Sequence, residues 1–213
     1  MSHSLSRLAM ASCVILAMTP LAQADLYGFH RITGNSPTDI AGQLFIDVTD
    51  GGSGLVNFRF LNAVGVTSSI ADIYFDAENL LSGLDSLSGS AGVSFSQWAS
   101  PGNLPGGNSI SPPFQTTTGL SADSDPPAFA NGVNTSSEYL NVLMNLESGL
   151  TFSDVLAGLA DGSLRVGIHV QGIDVEGESD GFVNNPRPVP VPGAALLGAI
   201  GLGTIGWIRR RVS

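Results

Sequence analysis

The sequence predicts an all-β fold: a single β-sandwich-like domain with one short helix. Three observations support this prediction. Apolar and polar residues alternate in six short segments, glycine-containing turns follow some of them, and one segment alone carries helical signals. Residues 25–185 suffice for one domain, and no internal repeat of fixed period divides them.

The alternating segments have the two-residue period of strands that bury one face. They are centred on Ile46, Phe58, Ile73, Phe95, Val142 and Ile168. Turn residues occur at Asp50-Gly51-Gly52 and at Asp161-Gly162, where glycine accepts backbone angles that other residues resist. The pattern therefore predicts at least six strands.

One helix is predicted to begin at Thr151. Thr151 and Asp154 have the spacing of a capping box, apolar residues follow at helical intervals, and Gly162 ends the segment. Between residues 100 and 134 the chain is rich in proline, glycine, serine and asparagine. This composition predicts a long irregular insertion within the domain rather than a linker to a second one.

The predicted domain is strongly acidic. All eighteen acidic residues lie between residues 25 and 185, where the only basic residues besides histidine are Arg31, Arg59 and Arg165. Eighteen carboxylates against three guanidinium groups give this body a net charge of −15. Such a charge argues against nucleic acid and against an anionic membrane surface as partners, and it favours solubility outside the cell.

The N-terminus has the three parts of a secretory signal peptide, residues 1–24. Arg7 precedes an apolar run over residues 8–18 that is too short to span a bilayer, and Ala22-Gln23-Ala24 is a cleavage site. Signal peptidase is thus an expected partner, and Asp25 begins the mature chain. Cleavage removes Cys13, the only cysteine, which excludes disulfides and thiol catalysis.

Residues 186–213 have the composition of a hinge followed by a membrane anchor. Prolines at every second position from Pro186 to Pro192 predict an extended backbone that joins neither helix nor sheet. Residues 191–208 carry no charge and reach the roughly 17–25 residues that span a bilayer. Arg209, Arg210 and Arg211 follow, so the positive-inside rule predicts a transmembrane helix with the body outside the cytoplasm.

Pro190-Val191-Pro192, the glycine-spaced apolar run from Leu196 and the three terminal arginines form a tripartite pattern. This pattern resembles a PEP-CTERM sorting signal, with Val191 where that family usually has glutamate. The resemblance implies cleavage near residues 190–192 by an exosortase-type enzyme in a Gram-negative-type bacterium. The body would then be released or transferred to another component of the envelope. The body is similar to the exported domains that precede such tails, a similarity that implies no activity.

Two motifs suggest catalysis but lack its context. Residues 201–206 match G-x-G-x-x-G, yet only seven residues follow and none is acidic, so nucleotide binding is rejected. Ser179 lies in a G-x-S-x-G match, but no histidine follows His169, as a nucleophile elbow requires. His30 and His169 alone remain after leader removal. His169 is on the polar side of a predicted strand, where a surface or packing role is expected rather than that of a general base. The sequence predicts no enzyme and no cofactor.

The acidic stretch over residues 174–180 leaves calcium as an alternative. In an extended backbone its alternate carboxylates share one face, and Ca²⁺ prefers such oxygen ligands. Asp123 and Asp125 would contribute from the insertion. The other interpretation is a solvated acidic loop, and the spacing is not that of an EF-hand.

These features predict an exported, transiently membrane-tethered protein of the cell surface or extracellular matrix, with a structural or adhesive role. The alternative is a polysaccharide-binding module, which calcium would assist. Trp98 is the only tryptophan between residues 25 and 185 and is the residue best suited to stack on a sugar ring. A secreted hydrolase is disfavoured because no complete acid–base or nucleophile set can be assembled.

Overall fold

Ten antiparallel strands make up most of the fold in a computed structural model, which describes residues 25–77, 79–174 and 177–189. The predicted all-β class is confirmed. The strands are β1 (Asp25–Arg31), β2 (Leu44–Gly52), β3 (Leu55–Asn62), β4 (Ser69–Asp76), β5 (Leu81–Gly89), β6 (Phe95–Gln97), β7 (Ser121–Ser124), β8 (Tyr139–Leu146), β9 (Arg165–Ile173) and β10 (Glu178–Pro188). The predicted leader and anchor lie outside the described residues.

All ten strands belong to one sheet, in the order β5-β8-β3-β2-β1-β10-β9-β4-β7-β6. The sheet folds over on itself until its end strands β5 and β6 touch, so it is nearly closed around one core. Phe75 on β4 meets Phe58 on β3 edge to face across this core, with ring centroids 5.0 Å apart. A β-sandwich consists of two separate sheets. Here the pairing of β1 with β10 joins all the strands into one sheet.

The first and last strands pair in the middle of the sheet, where Tyr27 lies opposite Pro188. β10 extends three residues beyond the predicted domain boundary at residue 185, so Pro186 and Pro188 belong to the sheet rather than to a free hinge. Past Val183, β10 pairs with β1 alone, because its register with β9 ends there. Proline is tolerated at such one-sided positions, since its missing N–H removes no bond on the open side.

Strand β5 has no two-residue alternation, and sequence analysis did not predict it. Leu81, Leu84 and Leu87 recur every third residue, yet all three contact the main core. The register with β8 shifts between Leu81 and Gly83 and again between Leu84 and Ser86. Each bulge adds one residue to β5, so a three-residue spacing keeps the leucines on the inner face.

The predicted helix is confirmed as α2 (Phe152–Asp161), between Thr151 and Gly162. The carboxylate of Asp154 accepts both the backbone N–H and the hydroxyl of Thr151 at 2.7 Å, and Gly162 ends the helix at a φ of +83°. The prediction of a single helix is wrong, because the stretch over residues 100–134 also contains α1 (Ala128–Asn131). That stretch is not irregular throughout, since β7 lies within it as well. Among the helices described, none has the length and apolar character to cross a bilayer.

Buried amides tie the end of β3 to the start of β4. The Gln43 side chain donates to the Oδ1 of Asn62, to the Oγ of Ser68 and to the carbonyl oxygen of Val66, each at 2.9 Å. The Asn62 amide in turn donates to the carbonyl oxygen of Val133 at 3.2 Å. Since buried polar groups are stable only when paired, this network fixes the path of the chain between the two strands.

Candidate functional site

The insertion that connects β6 to β7, residues 98–120, covers the outer face of the sheet. Tyr74 and Val183 project outward from β4 and β10, and Leu104 and Phe114 of the insertion pack on them in a second, smaller apolar cluster. The hydroxyl of Tyr74 donates to the carbonyl oxygen of Pro101 at 3.0 Å. The insertion is therefore fixed on the sheet by a core of its own.

Two glycines let the insertion approach the strands beneath it. A Cβ on Gly167 would lie 2.7 Å from Leu104 and 3.1 Å from the ring of Phe114. A Cβ on Gly181 would overlap the carbonyl oxygen of Pro105. Only residues without a side chain fit at these outward positions of β9 and β10.

Three titratable side chains form a row across adjacent strands at the edge of the insertion. Asp72 on β4 pairs in register with Asp123 on β7 and with His169 on β9. Asp72 is fully buried, and its Oδ2 lies 2.8 Å from the Nδ1 of His169. Sequence analysis placed His169 on the polar side of its strand. In the structure its imidazole is bonded to the carboxylate of Asp72.

Asp123 holds a proton more tightly than an ordinary aspartate. Burial, followed by the negative charge of Asp72 and a hydrogen bond to it, raises the pKa of Asp123 to about 6. The Oδ1 of Asp72 is buried and receives no other donor from the residues that the structure describes. A proton on Asp123 supplies a hydrogen bond to the buried carboxyl group of Asp72. The row therefore places a carboxyl group with a raised pKa beside a second carboxyl group and an imidazole.

Trp98 opens the insertion in a costly backbone conformation. Its φ is +79°, a value that for a bulky residue costs about 1–3 kcal/mol. Hydrogen bonds from the backbone N–H groups of Trp98 and Ala99 to the carbonyl and hydroxyl of Ser121, at 2.9 and 3.1 Å, hold this conformation. The indole is 60% exposed, more than any other large apolar side chain among the described residues.

A groove of about 300 Å³ runs beside the indole. Its lining includes Trp98, Asn103, Thr116, Thr117, Thr118 and Gly119. Gly119 brings the backbone close to the ring, because a Cβ there would lie 3.5 Å from the Cη2 of Trp98. The groove combines one exposed aromatic face with uncharged hydroxyl and amide groups, the composition of sites that orient small polar ligands.

Several of the carboxylates predicted as calcium ligands bind other partners, and Glu176 lies outside the described residues. Asp180 is buried and accepts the hydroxyl of Thr33 at 2.6 Å and the backbone N–H groups of Asn35 and Ser36 at 2.8 and 3.2 Å. Asp174 accepts the hydroxyl of Thr38 at 2.9 Å. These bonds fasten the segment that follows β1 to the strands beside it.

Asp125 accepts the hydroxyls of Ser94 and Ser96 at 2.5 and 2.7 Å, bonds that lower its pKa. Within the described ranges, no three of the side chains of histidine, cysteine, aspartate and glutamate come close enough to share a metal ion. Ser179 lies in β10, at the register shift with β9 between Glu178 and Asp180, rather than at the strand-to-helix turn of a nucleophile elbow.

The pairing of Asp72 with Asp123 was missed from sequence, because it depends on the register between β4 and β7. The available signal was an aspartate beside Ile73 in an otherwise apolar strand.

The sorting residues Pro190, Val191, Pro192, Arg209, Arg210 and Arg211 lie outside the described residues. Comparisons with protein-family models, with curated proteins and with solved structures found no match.

Proposed function

We propose that the chain is the precursor of an exported bacterial protein, tethered by a C-terminal membrane helix and then delivered to the cell surface or extracellular matrix. The observation that carries the proposal is the pair of terminal signals. A leader ending at Ala24 precedes the acidic body, and Pro190-Val191-Pro192 with its apolar run and three arginines follows it.

The ends of the fold suit this processing. β1 begins at Asp25, the proposed first residue of the mature chain, and β10 ends at Pro188, just before the proposed sorting signal. Cuts after Ala24 and near residues 190–192 would leave the pairing of Tyr27 with Pro188 intact. Neither signal peptidase nor an exosortase-type enzyme would thus cut within β1 or β10.

The mature body has a structural or adhesive role in this proposal, acting without a cofactor and without nucleic acid. Its support is a nearly closed sheet with an extensive core and a net charge of −15 over residues 25–185, which suits a soluble surface component. A secreted hydrolase is disfavoured, because no histidine follows Ser179 in its G-x-S-x-G match and no complete nucleophile or acid–base set can be assembled.

The second candidate function is polysaccharide binding. The exposed indole of Trp98 beside a neutral polar groove favours it. A calcium-dependent form of this function would need ligands beyond Asp180, whose carboxylate already accepts three hydrogen bonds.

The main proposal is tested by fractionating the native host and determining both ends of the mature protein by mass spectrometry. We expect a chain that begins at Asp25, ends near residues 190–192 and is found outside the cytoplasmic membrane. Replacing Pro190 and Pro192 with alanine should leave the uncut precursor in the membrane, whereas the neighbouring Val189→Ala variant should be processed.

Val191→Glu provides a sharper comparison, since it restores the usual residue of the sorting motif. We expect this variant to be cut at least as fast as the wild type. A full-length precursor found free in the periplasm, with its C-terminal peptide intact, would refute the proposal.

A further inference from the structure

The exposure of Trp98 calls for a ligand that covers it. Among the described residues only Trp98 and Phe129 are large apolar side chains with substantial exposure, at 60% and 40%. Phe129 packs on Gly172, where a Cβ would overlap its ring. Trp98, by contrast, points outward from an unfavourable backbone conformation. Two hydrogen bonds to Ser121, from the backbone N–H groups of Trp98 and Ala99, hold it there. A flat apolar surface held rigidly in this way is suited to contact a partner.

The groove beside the indole indicates the chemistry of that partner. Thr118 and Asn103 are exposed in its lining and offer a hydroxyl and an amide, groups that both donate and accept hydrogen bonds. Among the residues that the structure describes, no charged side chain lines the groove. A pyranose ring matches this surface, because its C–H face stacks on an indole while its hydroxyls bond to neutral polar groups.

Charge narrows the class of sugar. The body carries a net charge of −15 over residues 25–185, and the groove supplies no cation to offset the carboxylates of a uronic acid. The volume of about 300 Å³ is at the lower end of ligand sites, which suits one or two sugar rings rather than a large ligand.

A larger cavity, of about 380 Å³, lies between the insertion and the end of α2. Its one guanidinium, that of Arg165, is already bonded to Asp76 and to the carbonyl oxygens of Pro112 and Pro113. Its described lining includes no tryptophan, tyrosine or phenylalanine, so the Trp98 groove is the better candidate.

We propose that the Trp98 groove binds a neutral hexose unit of a polysaccharide, with the ring stacked on the indole and its hydroxyls bonded by Asn103 and Thr118. This inference rests on the second candidate function, polysaccharide binding, and assigns its site and its class of sugar.

The test uses the full chain carrying Trp207→Phe, which leaves Trp98 as the only tryptophan, in a detergent without a sugar headgroup. The probes are neutral oligosaccharides of glucose, mannose, galactose and rhamnose, with oligogalacturonate as the anionic comparison. We expect at least one neutral probe to shift the emission of Trp98 and oligogalacturonate to bind more weakly.

Variants are then measured by calorimetric titration with that probe. Trp98→Ala should weaken binding by about tenfold or more, the effect of losing a central aromatic contact. Asn103→Ala should weaken it less, and Phe129→Ala, the matched exposed aromatic, should leave it unchanged. Thermal melting of each variant reports whether it is folded.

Three results would overturn the inference: no binding by any neutral probe, equal binding by folded Trp98→Ala, or tighter binding of oligogalacturonate. Its failure is separable from that of the export proposal, because Trp98→Ala should still be processed at both ends. Normal processing with no sugar binding would remove this inference alone.

Discussion

Asp72 and Asp123 occupy directly paired positions on β4 and β7, so two carboxyl groups meet at the edge of the insertion. The pair is compatible with folding because Asp123 keeps its proton to about pH 6 and Asp72 has His169 on its other side. The same pair raises the pKa of Tyr74, after the larger effect of burial. Titration of Asp123 is therefore coupled to the stability of the fold.

Asp123→Asn is expected to stabilise the protein at neutral pH. The folded pKa of about 6 lies above the ordinary value of 3.8, so the stability that the proton gives is complete below about pH 4 and is lost as pH rises through 6. An amide keeps the hydrogen bond to Asp72 at every pH. After allowance for solvent screening, we expect a gain of about 1 kcal/mol at pH 7.5.

Urea unfolding of wild type and variant between pH 3 and 8 measures this effect. The difference between the two proteins should be smallest near pH 3, below the ordinary pKa of 3.8, where Asp123 is largely protonated in both folded and unfolded chains. A difference that does not change with pH would show that Asp123 does not titrate in this window.

Asn62→Ala is expected to lower the free energy of unfolding by about 2–3 kcal/mol, because it leaves buried partners of the Gln43 network without hydrogen bonds. Asn57→Ala is the matched control on the same strand, since the half-buried Asn57 makes one side-chain bond, of 3.4 Å, to Thr49. Denaturant unfolding compares the two. Equal losses would mean that the buried network does not contribute more than a surface amide.

Gly181→Ala is expected to loosen the insertion. Its Cβ would overlap the backbone oxygen of Pro105, and overpacking of this kind costs about 1–3 kcal/mol. Limited proteolysis with mass spectrometry of the fragments should detect faster cleavage within residues 98–120. Gly83→Ala is the control, because its Cβ meets nothing within 4 Å, and it should be cut like the wild type.

Asp180→Asn is expected to destabilise the protein by about 1–3 kcal/mol, because a carboxylate that accepts three hydrogen bonds becomes a weaker acceptor. Asp85→Asn, at an exposed position of β5, serves as control and should be nearly neutral.

We further expect the melting temperature of the wild type to be the same with calcium and with EDTA. A rise with calcium would return Asp180 or its neighbours to the role of metal ligands.

Sequence alone predicted the strands that alternate cleanly and the one helix with a full set of local signals. β3 and β8 keep one face in the core along their whole length, so their two-residue period was readable. β5 was not predicted, because its bulges convert a three-residue spacing into one buried face. β10 was not predicted either, because acidic residues, glycine and prolines obscure a strand that is buried between two neighbours over part of its length.

The candidate site, too, could be predicted from the sequence only in part. The composition of the insertion and the presence of one tryptophan in the body were evident from the residues. That Trp98 faces solvent depends on its bonds to Ser121 across the β6–β7 pair, a contact between residues 23 positions apart.

By itself the sequence determined the β class, the turns around glycine and the boundaries of α2, since these depend on neighbours within a few residues. It also determined the acidic charge of the body. Only the tertiary structure decided that ten strands join one folded-over sheet, that burial beside Asp72 raises the pKa of Asp123, and that an indole lies beside a neutral groove. These features depend on strand register, which brings residues distant in the chain within bonding distance and is not encoded in local periodicity.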